Sequence, residues 1–367
     1  MGKKNYMANL ILDQFERILK FGREYNLPFF KKESILREFL QAKILEKIYQ
    51  QKISKNIYFI GGTSLRLLYH LNRFSEDLDF DFDQSVNQKE IIALYKKVVF
   101  LLRKENIEVE EYINQTKKRL YFELRFPGVL YPLGFSSSKD QKLVIKLDFE
   151  NYWQGLTPEI VVLERYGILA KIVTLSLDKI LVQKLFAYLN RKETLGRDLY
   201  DILWLVKNGA KIDWDFVKKN NLSSTPSLVE KVKMKFSREK KRLALFKNQV
   251  KTLLIDPLDV NIFDFFEDFF PERENIKYLR MDKEEASDFD GYLFTFYFQI
   301  NKKKLIKFVV KITGTRRVKE NKEKIEAVFK EKIFDFFVKN PVKNYQTRLI
   351  NTKDLDIKRI NLEKILE

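Results

Sequence analysis

The chain has no cysteine, a single histidine, and only 12 Gly and 8 Pro in 367 residues. Without cysteine there can be no disulfide framework, zinc-thiolate site or catalytic thiol. With His70 as the sole histidine, multi-histidine metal sites and histidine-dependent triads are excluded, and a carboxylate becomes the candidate general base. His70 itself reads as structural. No apolar run approaches the ~20 residues needed to span a bilayer, and the opening Met-Gly-Lys-Lys-Asn-Tyr has no apolar region behind it. The expectation is a cytoplasmic protein with no membrane partner.

Apolar residues and positive charge are abundant. A hydrophobic content of 45% with 32 Phe is ample for a core, and the length predicts more than one domain. Lys+Arg 69 against Asp+Glu 51 gives +18, an excess that favours polyanionic partners, chiefly nucleic acid. Abundant Lys, Ile, Asn and Phe also reflect a compositional bias, so the distribution of charge is more informative than its sum. Residues 231–251 carry nine Lys/Arg and one acid, and residues 302–324 carry ten and two. Between them, residues 256–274 hold seven acids and one Arg. Each basic block alone is an ordinary solvated face; the two together support a nucleic-acid-contacting surface.

The densest pattern is FIGGTSLRLLYHLNRFSEDLDFDF over residues 59–82. A short apolar run ends at Gly61-Gly62. Leu65, Leu68 and Leu71 then recur at helical spacing, and Asp77 to Phe82 alternates as a strand. Asp77, Asp79 and Asp81 share one face of that strand and Leu78, Phe80 and Phe82 the other. Neighbouring carboxylates repel unless cations sit between them. Mg²⁺ takes oxygen ligands, usually one or two carboxylates plus substrate phosphates, and carboxylates at i and i+2 suit a pair of ions about 4 Å apart. The Gly61-Gly62-Thr63-Ser64 turn before a helix offers close backbone approach and donors to a phosphate. Separately, a Gly-Gly turn is usually only a turn, and an Asp-x-Asp pair usually a solvated strand face.

These residues in this order resemble the signature of the AbiEii/AbiGii toxin family, nucleotidyltransferase-like toxins of type IV toxin–antitoxin and abortive-infection systems, and are similar to the related MenT toxins. The resemblance covers roughly residues 30–210. It implies an α+β fold with a DNA-polymerase-β-type nucleotidyltransferase core, a mixed β-sheet flanked by helices. It also implies Mg²⁺ (or Mn²⁺) as cofactor with an NTP as substrate, and an NMP transferred to RNA, with the tRNA 3′ end the leading acceptor, so that translation is blocked. A cognate antitoxin is implied as partner, without a requirement for direct contact. By the same resemblance Asp77 and Asp79 bind metal, Gly61 to Ser64 with Arg73 and Ser75 hold the nucleotide, and Lys184 touches the triphosphate. Asp198 and Asp201 orient that lysine or activate the attacking hydroxyl. Asp148, on an alternating segment over Leu143–Glu150, stands where such folds supply a third carboxylate, and Lys146 shares its face, placed either to pair with that acid or to contact the nucleotide phosphates. On the residues alone, Asp148 is equally a strand-end acid facing water, and Lys184 or Arg191 with Asp198 an ordinary helix–helix ion pair. Rival readings keep the core but change the acceptor to a protein or a small molecule, or keep the fold as a non-catalytic nucleic-acid-binding relative.

Three regions are expected: an N-terminal helical segment over 1–55, with helices at Ala8 to Phe21 and Lys32 to Gln50, a nucleotidyltransferase core with its helical completion over 56–222, and a basic, tRNA-contacting C-terminal α/β domain over 223–367, the boundary falling at the linker-like Asn220 to Ser227. The core is expected to hold a helix over Asn87 to Lys104, strands near Glu108–Ile113, Leu120–Phe126 and Leu143–Phe149, and a largely helical stretch from 160 to 222. The C-terminal region is expected to hold a hairpin over Leu293–Ile300 and Leu305–Ile312, followed by Arg316-Arg317 and a helix over Lys322 to Val338.

Overall fold

The computed structural model describes residues 10–115, 119–222, 225–266, 276–285, 287, 291–300, 304–313, 323, 325–327 and 329–330. The chain divides into two compact units, 1–269 and 270–367. In the first, α1 (Leu10–Asp13), α2 (Phe15–Glu24) and α3 (Lys32–Tyr49) precede β1 (Ile57–Ile60). Then come α4 (Gly61–Tyr69), β2 (Leu78–Phe82), α5 (Gln88–Lys104), β3 (Glu110–Gln115), β4 (Arg119–Phe126) and β5 (Leu143–Glu150). A hairpin of β6 (Glu159–Arg165) and β7 (Ile168–Thr174) leads into α6 (Leu177–Asn190), α7 (Gly196–Lys207), α8 (Trp214–Lys219), α9 (Thr225–Glu239) and α10 (Leu243–Lys251).

The strands form a seven-stranded mixed sheet in the order β3-β4-β5-β2-β1-β7-β6, parallel where β2 meets β5 and where β1 meets β7. The expected mixed sheet flanked by helices is therefore present. One sheet face carries an aromatic ladder. Phe80 lies between Phe59 and Phe149, with ring centroids 5.4 and 4.5 Å away, and Phe122, 5.6 Å from Phe149, stacks on Tyr95 of α5 at 4.4 Å. All five rings are buried. At ~1.5–3 kcal/mol for each buried large apolar side chain, this ladder anchors the strands that carry the acids on the opposite face. α5 starts where the sequence sets it, because Asn87 and Glu90 close a reciprocal capping box.

Two expectations change here. The stretch from 160 to 222 is helical only from Leu177; the β6–β7 hairpin precedes it. Its strands are rich in β-branched and other apolar residues, Ile160, Val162 and Leu169 being exposed, and turn at Tyr166-Gly167, both with positive φ. The boundary expected at Asn220 to Ser227 also differs from the division between compact units, which falls at Phe269/Phe270. Leu228 of α9 packs with Trp153, Val182 and Phe216 of the first unit, so the chain stays with the core beyond that point. The N-terminal helices belong to the same unit, and α3 contributes Leu36, Phe39 and Leu40 to its core.

In the second unit, β8 (Ile276–Glu285), β9 (Gly291–Ile300) and β10 (Lys304–Thr313) form an antiparallel sheet with β9 in the middle. The expected hairpin is β9–β10, with Leu305 opposite Gln299; β8 is a further strand. Phe294, Phe296 and Phe298 alternate into the buried face, where Ile325 and Phe329 are also buried. The rest of the Lys322 to Val338 segment, Arg316-Arg317 and most side chains of the 302–324 basic block lie outside the described residues.

Candidate active site

Strand register assembles the acids. Asp79 of β2 has Ile60 of β1 as its partner on one side and Asp148 of β5 on the other, at the ~4.8 Å spacing of neighbouring strands. Asp77 immediately precedes β2. Gly61 follows Ile60 and already belongs to α4, so Gly61 to Ser64 form the first turn of the helix and not a separate turn before it. Gly61 has φ +80, and a Cβ there would lie 2.2 Å from Asp79 Oδ2. A Cβ on Gly62 would lie 2.3 Å from Arg73 Nη2 and 3.0 Å from Ser75 Oγ. The glycine pair thus lets the helix start lie against Asp79 on one side and Arg73 and Ser75 on the other. No side chain caps this end of α4, so its first N–H groups retain their capacity for an anion.

A charge relay leads inward from the acids. Lys184 of α6 is 2.9 Å from Asp201 Oδ2 and close enough to Asp79 to act on its ionisation. Asp201 of α7 also accepts two bonds of 2.7 Å from Arg73, one to each carboxylate oxygen. Burial alone would raise the Asp201 pKa; Arg73 and Lys184 override it and hold the group down at about 2. Burial pushes Asp79 the other way, to about 6, against Lys184 and with help from Asp77 and Asp148. Burial also raises Asp77, against the pull of Lys146 and Arg197.

The predicted residues sort into two sets. Asp77, Asp79, Asp148 and Lys146 come together along neighbouring strands, and Lys184 links them to Asp201. The other set is committed elsewhere. The Thr63 hydroxyl donates to the Asp77 carbonyl and that of Ser64 to the Gly61 carbonyl at 3.0 Å, both fully buried, so these side chains tie the helix start to β2 and do not offer hydroxyls to a phosphate. Arg73, expected to contact the nucleotide, is buried in its pair with Asp201 and also donates to the Phe74 carbonyl. Asp198 pairs with Arg191 at 3.1 Å and accepts the Leu195 N–H at 3.2 Å, the ordinary helix pairing. Asp81, grouped with the other strand acids, is buried and accepts a 2.6 Å bond from Gln183; burial pushes it up to about 8.

Three contributors were not legible. Gln41 of α3 donates to the carbonyls of Ser75 and Glu76 and fixes the loop before Asp77. Gln183 holds Asp81, and Arg197 acts on Asp77. A glutamine in an amphipathic helix carries no local signature; Arg197 sits in the Arg-Asp-Leu-Tyr-Asp run, where its acidic neighbours drew attention instead.

The donor set fits a hard divalent cation. It consists of carboxylate oxygens whose mutual repulsion and burial already oppose ionisation, the condition a cation relieves. Among the described residues no three acidic or imidazole groups are arranged as a complete metal cage.

Comparisons with known proteins agree with this chemistry at the level of family. A comparison with curated proteins found no match. Two solved Helicobacter pylori structures are similar. JHP933 is 22% identical, with 63% of this chain and 88% of that chain covered at a TM-score of 0.41. A protein provisionally described as a nucleotidyltransferase is 20% identical, covering 65% and 94% at 0.42. The family model for the nucleotidyl transferase AbiEii toxin of type IV toxin–antitoxin systems matches residues 43–294, more than two thirds of the sequence and all of the segments just described as meeting around Asp79. The chain belongs to that toxin family.

Proposed function

We propose that this toxin moves a nucleoside monophosphate from an NTP to a hydroxyl of RNA, the tRNA 3′ end being the leading acceptor, and so blocks translation. The observation that carries the reading is the position of Lys184, held by Asp201 on one side and facing Asp79 on the other. The α4 N-terminus and Lys184 take the triphosphate, with Lys146 and Arg197 as further cations beside Asp77. Asp77 and Asp79, with Asp148 in register beside them, would hold a divalent cation, which would supply charge neutralisation at the reacting phosphate and lower the pKa of the attacking hydroxyl. The acceptor oxygen forms a bond to the α-phosphorus, its proton leaves to a carboxylate or solvent, and the bond to the β-phosphate breaks, releasing pyrophosphate. Arg73 keeps Asp201 ionised, and Asp201 keeps the lysine aimed.

The acceptor reading draws support from a groove of about 960 Å³ between α6 and α9. Tyr152, 53% exposed, lies 5.7 Å from Phe186 on one wall, and Lys231, Lys235 and Arg238 recur on the α9 wall. An exposed tyrosine beside a cationic stripe suits unpaired nucleotides, by stacking and phosphate contact. Tyr152 is four residues beyond Asp148, at most about 14 Å along the chain. The 231–251 basic block belongs to the first unit, and its α9 part lines this groove.

Purified protein incubated with Mg²⁺, labelled NTPs and total tRNA tests the reading. Label on tRNA that disappears in Asp79→Ala is the expected result. Label on protein or a small molecule, or none at all, overturns it.

A further inference from the structure

The far end of α4 holds a second cluster. Its first turn faces Asp79, and its last leads into His70, about 13 Å away along the helix. There Arg66 of α4, Arg165 of β6 and Glu38 of α3 are 4%, 4% and 2% exposed. Two guanidinium ions thus share one carboxylate, and they share it unequally. Arg66 donates to both Glu38 oxygens, at 2.7 and 3.4 Å, and to the Leu71 carbonyl at 3.0 Å. The Tyr166 hydroxyl takes Glu38 Oε1 at 3.0 Å. Arg165 Nη1 is left 3.7 Å from Oε1, beyond hydrogen-bond range.

Arg165 is therefore poorly compensated. It meets His70 Nδ1 at 2.7 Å, and since a guanidinium only donates, Nδ1 accepts and the histidine proton sits on Nε2. Its charge lies over the Tyr25 ring, 4.6 Å from the centroid. Its Nε is buried and has no hydrogen-bond partner among the described residues. Leaving a buried ion short of a counter-charge is costly. A cavity of about 470 Å³ opens at this point, lined by Arg165, Arg66, His70, Asn72 and Tyr25, among others. Glu164 and Asp256 stand at its rim, both exposed, and the Asp256 carboxylate accepts the Leu258 N–H at 2.9 Å. Solvent screens such rim charges, so they do not serve as the missing partner of a buried guanidinium.

We propose that this cavity is a binding site for a phosphate group, separate from the candidate active site, in which the anion completes the coordination of Arg165 with Arg66, His70 and Asn72 around it. Guanidinium groups favour phosphate because two parallel N–H donors match two oxygens. The site neighbours the relay: Asn72 and Arg73 are adjacent, and the segment that closes the cavity, Leu253 to Asp256, is bonded to Asn72 and Phe74. The proposal does not depend on the nucleotidyl-transfer reading.

The test uses the full chain and two probes, inorganic phosphate and a short 5′-phosphorylated RNA, each against chloride at equal ionic strength. The unfolding midpoint is followed in the wild type, in Lys184→Ala, which removes a cation of the other site, and in Arg165→Gln. The expected result is a saturable rise of a few degrees in the wild type and in Lys184→Ala that is lost in Arg165→Gln. A response to phosphate identifies a free anion as occupant, and a response to the RNA alone a backbone phosphate. Should Arg165→Gln fail to fold, His70→Ala at the exposed side of the cavity is expected to weaken the midpoint response about tenfold in phosphate concentration. No saturable rise in the wild type, a rise lost in Lys184→Ala, or one unchanged in both Arg165→Gln and His70→Ala overturns the proposal.

Discussion

Arg73 meets Asp201 across 128 residues of sequence with two bonds of 2.7 Å, Nε to Oδ1 and Nη2 to Oδ2. Both side chains are almost wholly buried. Breaking such a pair from one side leaves an uncompensated buried charge and costs about 3–5 kcal/mol. Arg73→Met is expected to lower stability by that amount in urea unfolding, and Arg73→Lys to fall short as well, because an ammonium cannot reproduce the paired geometry. Replacing both partners with leucine is expected to recover part of the loss.

Asp198 and Asp201 lie on the same helix but have different surroundings. Asp198 is bonded to Arg191 and to a backbone N–H at the helix start, whereas Asp201 holds Arg73 and Lys184. Asp198→Asn is expected to cost about 1 kcal/mol or less, with transfer activity retained. Asp201→Asn is expected to destabilise the fold by several kcal/mol, and Lys184→Ala to lower the rate by about 10²–10³-fold with little change in stability. Equal effects of the two asparagine variants on transfer would contradict this division.

Gly61→Ala and Gly62→Ala test close approach directly. The first adds a Cβ 2.2 Å from Asp79 Oδ2 in a backbone of φ +80, the second a Cβ 2.3 Å from Arg73 Nη2. Each is expected to cost about 1–3 kcal/mol of stability and to abolish nucleotide binding as read by titration with a non-hydrolysable NTP analogue.

The face of the glycines and of the Asp-x-Asp strand was legible from short helical and alternating patterns, whereas Asp148 and Lys184 were expected in the site only through the family resemblance, the residues alone allowing a strand-end acid and an ordinary helix–helix ion pair. The role of Arg73 was not legible, since nothing local tells an exposed phosphate ligand from a buried partner of a residue 128 positions away. The β6–β7 hairpin was hidden for a related reason. It lies at the sheet edge with Ile160, Val162 and Leu169 exposed, so its apolar residues do not mark one inward face.

Protonation gives a pH signature. Asp79 and Asp81, at about 6 and about 8, bind protons more tightly when folded than an unfolded chain does at ~3.9. Their stabilising contribution is complete below that unfolded value and is lost as pH rises through the folded ones. Without divalent cations, urea midpoints are expected to fall between about pH 4 and pH 8 in the wild type relative to Asp81→Asn. Mg²⁺ is expected to oppose the part owed to Asp79. Transfer activity is expected to have the opposite slope, falling as Asp79 takes up its proton, at a pH that rising Mg²⁺ shifts downward.

The register that places Ile60, Asp79 and Asp148 in one line also has a consequence in time. The residues brought together run from Gly61 to Asp201, and the central strand cannot be flanked on both sides until β5 has been made. At ~5–20 residues per second of synthesis, a growing chain stays chemically silent for on the order of 10–40 s before Asp201 has even been added. Under the proposed reaction, transfer would begin only after the chain has been made past Asp201, most of the way through the first unit.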